Sequence, residues 1–233
     1  MSARSSLIEV KNLSKVYFRK GSPPIKALDD VNLEVRSGEF LTVIGRSGSG
    51  KTTLLNLIGA LDRPTSGEVR FEGKILKDFS NRDLAVLRRE KIGFVFQTFN
   101  LLPSLTVREN VESALIHSAM SKNEITEKVA ALFELLNLTD KSNMLPLQLS
   151  VGQQQKVAIA RALVKNPVLI LADEPTGEMD PITAQEIIAK LFELNKKSRI
   201  TTMVVSHGAF PNDQADRTLF LEAGKIVSQK ESR

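Results

Sequence analysis

The 233-residue chain contains no cysteine and no tryptophan, and it has a single tyrosine. The lack of cysteine excludes disulfides, thiolate metal sites and a cysteine nucleophile, and it fits a reducing compartment. Few aromatic rings are available to stack on nucleic-acid bases. The first residues lack the apolar core of a secretion signal, and apolar runs such as 168–172 are too short to cross a bilayer. We therefore expect a soluble chain, or one held at a membrane through a partner.

The charge balance is basic, with 32 Lys and Arg against 27 Asp and Glu. Such a balance allows contact with nucleic acid or an anionic membrane surface. The basic residues are dispersed, however, and short pairs such as Arg88–Arg89 are typical of a solvated face. Together with the scarcity of aromatic residues, this argues against a nucleic-acid partner.

Apolar stretches alternate with helical patterns over most of the chain, which predicts an α/β fold with a mostly parallel sheet covered on both faces. Early strands with alternating apolar and polar residues predict a small antiparallel β subdomain. The predicted strands are Leu7–Phe18, Val31–Val35, Phe40–Ile44, Glu68–Phe71, Ile92–Phe96, Val168–Ala172, Thr201–Ser206, Thr218–Leu221 and Lys225–Ser228. The predicted helices are Lys51–Leu61, 80–90, one following Thr106, Glu124–Leu136, Val151–Val164 and Ile182–Leu194.

The most informative motif is Gly45–Thr52, which reads G-x-x-x-x-G-K-[ST] directly after the predicted strand Phe40–Ile44. Glycines let backbone N–H groups approach an anion, and the following helix adds its positive dipole end. Lys51 would reach the β- and γ-phosphates of a nucleotide, and Thr52 would hold Mg²⁺. A plain glycine-rich turn is the alternative, but the strand–loop–helix context argues against it. The predicted phosphate-binding residues are Gly45, Ser47, Gly48, Ser49, Gly50, Lys51, Thr52 and Thr53.

Two acidic residues follow the buried strand Val168–Ala172. The carboxyl end of a parallel strand faces the ligand crevice, so Asp173 can join the Mg²⁺ shell there. Glu174, one residue further, can orient and deprotonate an attacking water. A strand that merely ends in an acidic turn is the simpler interpretation, and the phosphate loop makes it less attractive.

A second anion site is predicted at Ser150–Gln153, where Ser150-x-x-Gln153 forms a capping box before a helix. The small Gly152 leaves room for an anion at that helix N-terminus. One nucleotide does not need two such sites, but two chains that face each other would each complete the other's phosphate pocket. An ordinary capped helix is the alternative.

With these motifs the chain resembles the ATP-binding subunits of ABC transporters, over nearly all of its length. Residues 172–177 and 100–107 resemble the branch that contains lipoprotein-releasing, macrolide-exporting and cell-division ATPases. The matching family motifs are Walker A (Gly45–Thr52), the Q-loop (Gln97), the signature (Leu149–Gln153), Walker B (Leu169–Asp173), the D-loop (Gly177–Asp180), the switch histidine (His207) and an adenine-stacking aromatic residue (Tyr17).

The resemblance implies an ATPase that binds ATP and Mg²⁺, dimerises around two ATP molecules and drives a membrane subunit from the cytoplasmic face of the membrane. It implies a single ABC ATPase domain with a P-loop NTPase core (residues 1–97 and 151–233) and an inserted helical subdomain (98–150). The implied catalytic residues are Glu174, His207 and Gln97, and the implied metal ligands are Thr52, Gln97 and Asp173. The further nucleotide contacts it implies are Tyr17, Ser150, Gly152 and Gln153.

From the residues alone, other interpretations stay open: Gln97 as the polar end of a strand, His207 as a structural histidine and Tyr17 as an ordinary strand residue. His117, within a predicted helix, is read as a surface or core residue. The residues Phe99, Leu101, Leu102 and Leu105 either line a groove for a helix of the membrane subunit or form the core of the helical subdomain.

Three residues depart from the family pattern: Val151 replaces a glycine of the signature, Lys156 replaces an arginine, and Gly208 replaces an aspartate. They bear on the ATPase rate more than on the type of reaction. A regulatory ATPase of a membrane complex, as in cell division, is the alternative function. Chromosome- or repair-type ABC ATPases are disfavoured because sustained heptads and cysteines are absent from the sequence.

Overall fold

The computed structural model describes residues 5–177, 179–207 and 214–231. The strands within these residues are β1 (Ser6–Tyr17), β2 (Ile25–Arg36), β3 (Phe40–Ile44), β4 (Ser66–Phe71), β5 (Lys74–Ile75), β6 (Ile92–Val95), β7 (Leu169–Asp173), β8 (Thr201–Ser206), β9 (Arg217–Glu222) and β10 (Lys225–Glu231). The α-helices are α1 (Lys51–Ile58), α2 (Asn81–Glu90), α3 (Val107–Glu112), α4 (Lys122–Leu136), α5 (Val151–Leu163) and α6 (Pro181–Ser198).

The strands form two sheets. An antiparallel sheet has the order β2-β1-β4-β5, and a six-stranded sheet has the order β10-β9-β3-β8-β7-β6. In the larger sheet only β10 pairs antiparallel with its neighbour. The predicted α/β fold, with a mostly parallel sheet and a smaller antiparallel one, is confirmed.

The register of the parallel strands determines where the candidate site lies. Ile44 at the end of β3 pairs with Ser206 at the end of β8, and Asp173 at the end of β7 pairs with Val205. These strands are buried over nearly their whole length, as expected for strands covered on both faces. Because parallel strands end at the same edge, residues that follow β3, β7 and β8 meet there.

Between β6 and α5 the described chain contains only helices and turns. A buried asparagine fixes the first part of this segment: Asn110 donates to the carbonyls of Leu102 (3.0 Å) and Leu105 (2.9 Å), and its own carbonyl accepts from the Leu102 N–H (2.8 Å). Capping boxes start α3 at Thr106 and α4 at Ser121. The assignment of residues 98–150 to a separate subdomain stays a prediction.

Two hydrophobic clusters hold the layers together. One lies between the antiparallel sheet, α1 and one face of the parallel sheet. The other packs α3, α4, α5 and α6 against the opposite face, where the rings of Phe40 and Phe192 stack with centroids 3.9 Å apart. No helix in the described part of the chain has the length and hydropathy to cross a membrane.

Several predicted elements were wrong in extent or type. Helix α6 extends to Ser198 rather than Leu194, and β10 extends to Glu231 rather than Ser228. Helix α1 ends at Ile58 rather than Leu61, because Ala60 adopts a φ of 55° that ends the helix. Strand β2 begins at Ile25 rather than Val31, and the irregular Asp30, with φ 54°, interrupts the alternation expected of a regular strand. His117 lies in an exposed turn and not in a helix, which leaves it a surface residue.

Candidate nucleotide-binding site

The loop between β3 and α1 requires glycine at its last position. Gly50 has a φ of 105°, and a Cβ there would lie 2.3 Å from the backbone oxygen of Ala27. Both the left-handed backbone and the close approach of β2 exclude a larger residue. The loop therefore turns directly into α1, whose first N–H groups have no intrahelical acceptors and point at the space above the loop.

Lys51 is buried at the start of α1, with its ammonium group folded over the loop. Its Nζ donates to the carbonyls of Gly45 (2.8 Å) and Arg46 (3.1 Å), and it lies 3.6 Å from Oε1 of Glu174. The cation is therefore held at the centre of the loop, where a phosphate group would find a positive charge and free backbone donors.

The hydroxyl of Thr52 donates to Oδ1 of Asp173 at 3.2 Å. Burial raises the pKa of Asp173, and the neighbouring charge of Glu174 adds to this, while the Thr52 hydrogen bond and the charge of Lys51 oppose it. Hydroxyl, carboxylate and amide oxygens suit a hard cation such as Mg²⁺. The described residues hold no group of three or more His, Cys, Asp or Glu arranged for a metal ion. This donor set therefore fits a cation that completes its shell with water and substrate phosphate oxygens.

Glu174 connects the ends of β7 and β8. Its backbone has a φ of 45°, and its N–H donates to the carbonyl of Val205 at 2.9 Å. Its Oε2 lies 2.5 Å from Nδ1 of His207. The carboxylate is thus fixed between a lysine and a histidine at the end of β7. Its role as the proton acceptor for an attacking water stays a prediction.

A cavity of about 610 Å³ collects most of the predicted site residues. Three lining residues come from the start of β2. The sequence does not predict their place in the cavity, because only the strand register brings β2 over the phosphate loop. The cavity is lined by Ile25, Lys26, Ala27, Ser47, Gly48, Gly50, Lys51, Thr52, Thr53, Gln97, Glu174 and His207.

Gln97 lies two residues beyond the end of β6, in a turn. A Cβ built on Gly177 would be 3.3 Å from Nε2 of Gln97, so the amide lies against the chain that follows Glu174. Gln97 therefore joins the cavity lining beside the chain that follows Glu174, and its contact with a water or cation stays a prediction.

Tyr17 does not line the cavity, but its surroundings fix its ring. The hydroxyl donates to Oδ2 of Asp62 at 3.0 Å, and Nζ of Lys15 lies 4.9 Å from the ring centroid. Burial raises the pKa of Tyr17, a hydrogen bond with Thr53 opposes this, and Asp62 adds to the increase. Since Thr53 lines the cavity, the ring lies next to it, and adenine stacking on Tyr17 stays a prediction.

The capping box at the start of α5 is confirmed. The Ser150 hydroxyl accepts from the Gln153 N–H (3.3 Å), and the Gln153 side chain accepts from the Ser150 N–H (3.0 Å). Ser150 is exposed and Gly152 is buried, and neither lines the cavity of their own chain. Val151 is the first residue of α5, as expected. The helix N-terminus therefore points to solvent, where a second molecule could meet it.

Replacing Gly152 with alanine is expected to lower the free energy of unfolding by about 1–3 kcal/mol, the usual cost of overpacking. A Cβ at this position would lie 2.4 Å from Cγ2 of Thr183 at the start of α6. Thr183→Ser removes that methyl group, so it should restore most of the stability in the double variant. Denaturant unfolding measures the effect, and an unchanged midpoint for Gly152→Ala would contradict this packing.

Two further sequence features are placed by the structure. Lys156, which replaces the family's arginine, lies 3.6 Å from Oε2 of Glu186 on α6. Asp180 caps α6, with its carboxylate accepting from the N–H groups of Ile182 (3.1 Å) and Thr183 (3.0 Å). A hydrogen bond with the Thr183 side chain, together with these backbone bonds, lowers the pKa of Asp180. Glu178 of the predicted D-loop and Gly208 lie outside the described residues.

Comparisons with known proteins agree with this geometry. The sequence profile of the family described as ABC transporter matches residues 28–177. The chain is 44% identical over 231 residues to MJ0796, an ABC transporter ATP-binding protein of Methanocaldococcus jannaschii, and the match covers 97% of this chain and 98% of that protein. It is 42% identical to the macrolide export ATP-binding/permease protein MacB of Hyphomonas neptunium, covering 95% of this chain but 34% of MacB.

The structure is also similar to solved structures of MJ0796. A dimeric structure of that ABC transporter cassette superimposes with a TM-score of 0.90 and 43% identity, covering 97% of this chain and 99% of that one. A second dimeric structure, of a post-hydrolysis state bound to ADP and Pi, gives a TM-score of 0.89 with the same identity and coverage. Both structures are of a protein whose fold matches this chain over 97% of its length.

Proposed function

We propose that this chain, which belongs to the ABC transporter family as one of its ATPase domains, powers a membrane subunit. The membrane subunit would be of the lipoprotein-release or macrolide-export type. The observation that carries the proposal is the single cavity that joins Lys51 and Thr52 to Gln97, Glu174 and His207. The exposed N-terminus of α5 supports the second part of the proposal, in which two copies form each active centre.

In the proposed reaction, the loop N–H groups and Lys51 bind the β- and γ-phosphates of ATP. Thr52, Asp173 and Gln97 would hold Mg²⁺, which neutralises the charge that develops on the transferred phosphoryl group. Glu174 accepts the proton of the attacking water, and His207 keeps the carboxylate oriented and contacts the γ-phosphate. Fixing the water and the carboxylate together removes much of the entropic cost of the step.

The partner's Ser150 and the partner's Gly152 would close the phosphate pocket from the other side. The N–H groups at the start of α5 and its dipole favour an anion there, as at the phosphate loop. Gln153 would contribute by holding Ser150 through the capping box. Each copy thus supplies a loop to one centre and a helix N-terminus to the other, so two ATP molecules are bound between two chains.

The name of MacB joins an ATP-binding part to a permease, and the present chain spans about a third of MacB's length. We therefore infer that a membrane subunit comparable to that permease holds this ATPase at the cytoplasmic face of the membrane. The surface we assign to that contact is centred on Leu102, whose side chain is 47% exposed although the surrounding segment is fixed by Asn110.

A single-thiol variant tests this assignment directly, because the natural chain has no cysteine. We expect Leu102→Cys to crosslink to the membrane subunit in a purified complex. Val227→Cys, at a similarly exposed position on β10 (54%), is the matched control and should not crosslink. Failure of Leu102→Cys to crosslink in a complex that has purified intact would contradict the assigned surface.

The same complex, reconstituted in lipid vesicles, separates transport from regulation. The proposal predicts that ATP drives movement of a substrate across the vesicle membrane. ATP hydrolysis that is stimulated by the membrane subunit but moves no substrate would instead favour a regulatory ATPase.

A further inference from the structure

We propose that Arg161 is a positioning residue that joins the Gln97 turn of one active centre to the α5 helix that serves the other. The inference rests on the proposed function, since it assigns a role to residues on both sides of the shared centre. It concerns a residue of α5 that lies far from the phosphate loop and touches neither nucleotide nor metal in the proposed reaction.

The backbone adopts an unfavourable conformation two residues beyond Gln97. Phe99 and Asn100 have φ values of 59° and 49°, two consecutive left-handed residues of which neither is glycine. Such conformations persist only where the surrounding structure holds them. The local hydrogen bonds are few: the Phe99 N–H donates to the Phe96 carbonyl (3.2 Å), and the Asn100 N–H donates to the Thr98 carbonyl (2.6 Å).

The side chain of Arg161 holds this left-handed segment in place. One terminal nitrogen of its guanidinium donates to the carbonyl of Asn100 at 2.6 Å, and the other donates to the carbonyl of Phe99 at 2.7 Å. The planar fork of arginine thus holds two successive carbonyls whose directions the left-handed backbone determines. A lysine at this position would reach only one of them well.

The surroundings of Arg161 indicate that this contact is specific. Among the described residues no carboxylate forms an ion pair with it, and burial lowers its pKa. One turn further along, Lys165 donates to the carbonyl of Arg88 at 2.8 Å, and burial together with the charge of Arg161 lowers the pKa of Lys165 to about 8. Arg161 is half-buried. Partial removal of a cation from water without an acidic partner is costly, so its carbonyl contacts have to be well formed.

Helix α5 connects Arg161 to Ser150, which serves the other active centre in the proposed dimer. Arg161 and Ser150 are separated by three turns of one helix, about 16 Å at the usual rise per residue. The helix is also packed closely on β6, since a Cβ built on Gly93 would lie 2.8 Å from the carbonyl oxygen of Ala162. A shift of Gln97 in one centre would therefore move the helix N-terminus that faces the ATP of the partner.

Arg161→Ala is expected to lower kcat for ATP about 10- to 100-fold, the effect of a misplaced catalytic group, with KM changed little because the phosphate loop is untouched. Arg161→Lys should recover part of the loss. Arg88→Ala is the matched control: its guanidinium donates to the carbonyl of Ala60 at 2.7 Å, and Ala60 is also left-handed, with φ 55°. That variant should hydrolyse ATP at the parent rate.

A double-variant cycle with Gln97→Ala distinguishes positioning from a general loss of stability. If Arg161 acts through Gln97, then Arg161→Ala or Arg161→Lys causes no further loss of kcat in the Gln97→Ala background. Losses that multiply would overturn the inference. If Glu174→Gln leaves hydrolysis intact, the proposed function itself fails. If Glu174→Gln abolishes hydrolysis and the losses still multiply, only the role of Arg161 is wrong.

Discussion

Replacing Glu174 with glutamine is expected to slow ATP hydrolysis about 10²- to 10⁴-fold, the usual contribution of a general base. The amide cannot accept a proton from water, but it has the size of the carboxylate and can still accept a hydrogen bond from His207 or Lys51. The geometry of the site therefore survives while the chemical step is lost. Phosphate release under saturating ATP and Mg²⁺ measures the effect.

Because binding is retained, the Glu174→Gln variant should accumulate as an ATP-bound dimer. Glu72→Gln provides a matched control. Glu72 is also a left-handed glutamate, with φ 48°, but it follows β4 and does not line the cavity. Its turnover should equal that of the parent chain. Unchanged hydrolysis in Glu174→Gln would remove Glu174 from the role of the base.

Replacing Lys51 with alanine is expected to weaken ATP binding about 10²-fold or more. The buried ammonium group would make charge-assisted hydrogen bonds to two phosphates, each worth about 1.5–3 kcal/mol. Its loss also frees the carbonyls of Gly45 and Arg46, which then face the phosphates without a cation between them. Titration calorimetry with ATP, in the Glu174→Gln background to prevent hydrolysis, measures the dissociation constant.

Lys197→Ala is the control for this measurement. The Lys197 side chain is 71% exposed, and its ammonium group pairs with Oε1 of Glu193 at 2.7 Å. Its removal therefore takes away one positive charge and leaves the phosphate loop unchanged. Equal affinities in the Lys51 and Lys197 variants would mean that net charge, and not the position of Lys51, governs ATP binding.

The phosphate loop and the start of α5 could be predicted from sequence because their signals are local. The glycine spacing before Lys51, the apolar strand Phe40–Ile44 and the capping box at Ser150 each depend on a few consecutive residues. Strand β3 has the predicted bounds, and both halves of the capping box are formed. His117 was placed wrongly in a helix for a related reason: a helical pattern continues past the point where the chain turns.

The contacts that complete the site depend on tertiary structure and have no local signal. The pairing of Glu174 with His207 requires the register of β7 and β8. The presence of Ile25 in the cavity requires β2 to pass over the loop. Arg161 reaches carbonyls more than 60 residues earlier in the chain, and backbone acceptors leave no trace in the sequence. The roles of the predicted site residues stay predictions until variants are measured.

The shared active centre is tested most directly by mixing two defective copies, both carrying Glu174→Gln. One copy also carries Lys51→Ala, and the other carries Ser150→Asp, which preserves a good helix cap but sets a carboxylate against the phosphate of the partner. In a mixed dimer one centre combines both defects, and the other combines an intact loop with an intact helix N-terminus. Native mass spectrometry counts chains and nucleotides together.

The proposal predicts that neither copy alone forms an ATP-bound dimer and that mixing them produces dimers that hold one ATP. Mixing that yields no dimer, with the Ser150→Asp copy retaining ATP as a single chain at the parent affinity, would contradict it.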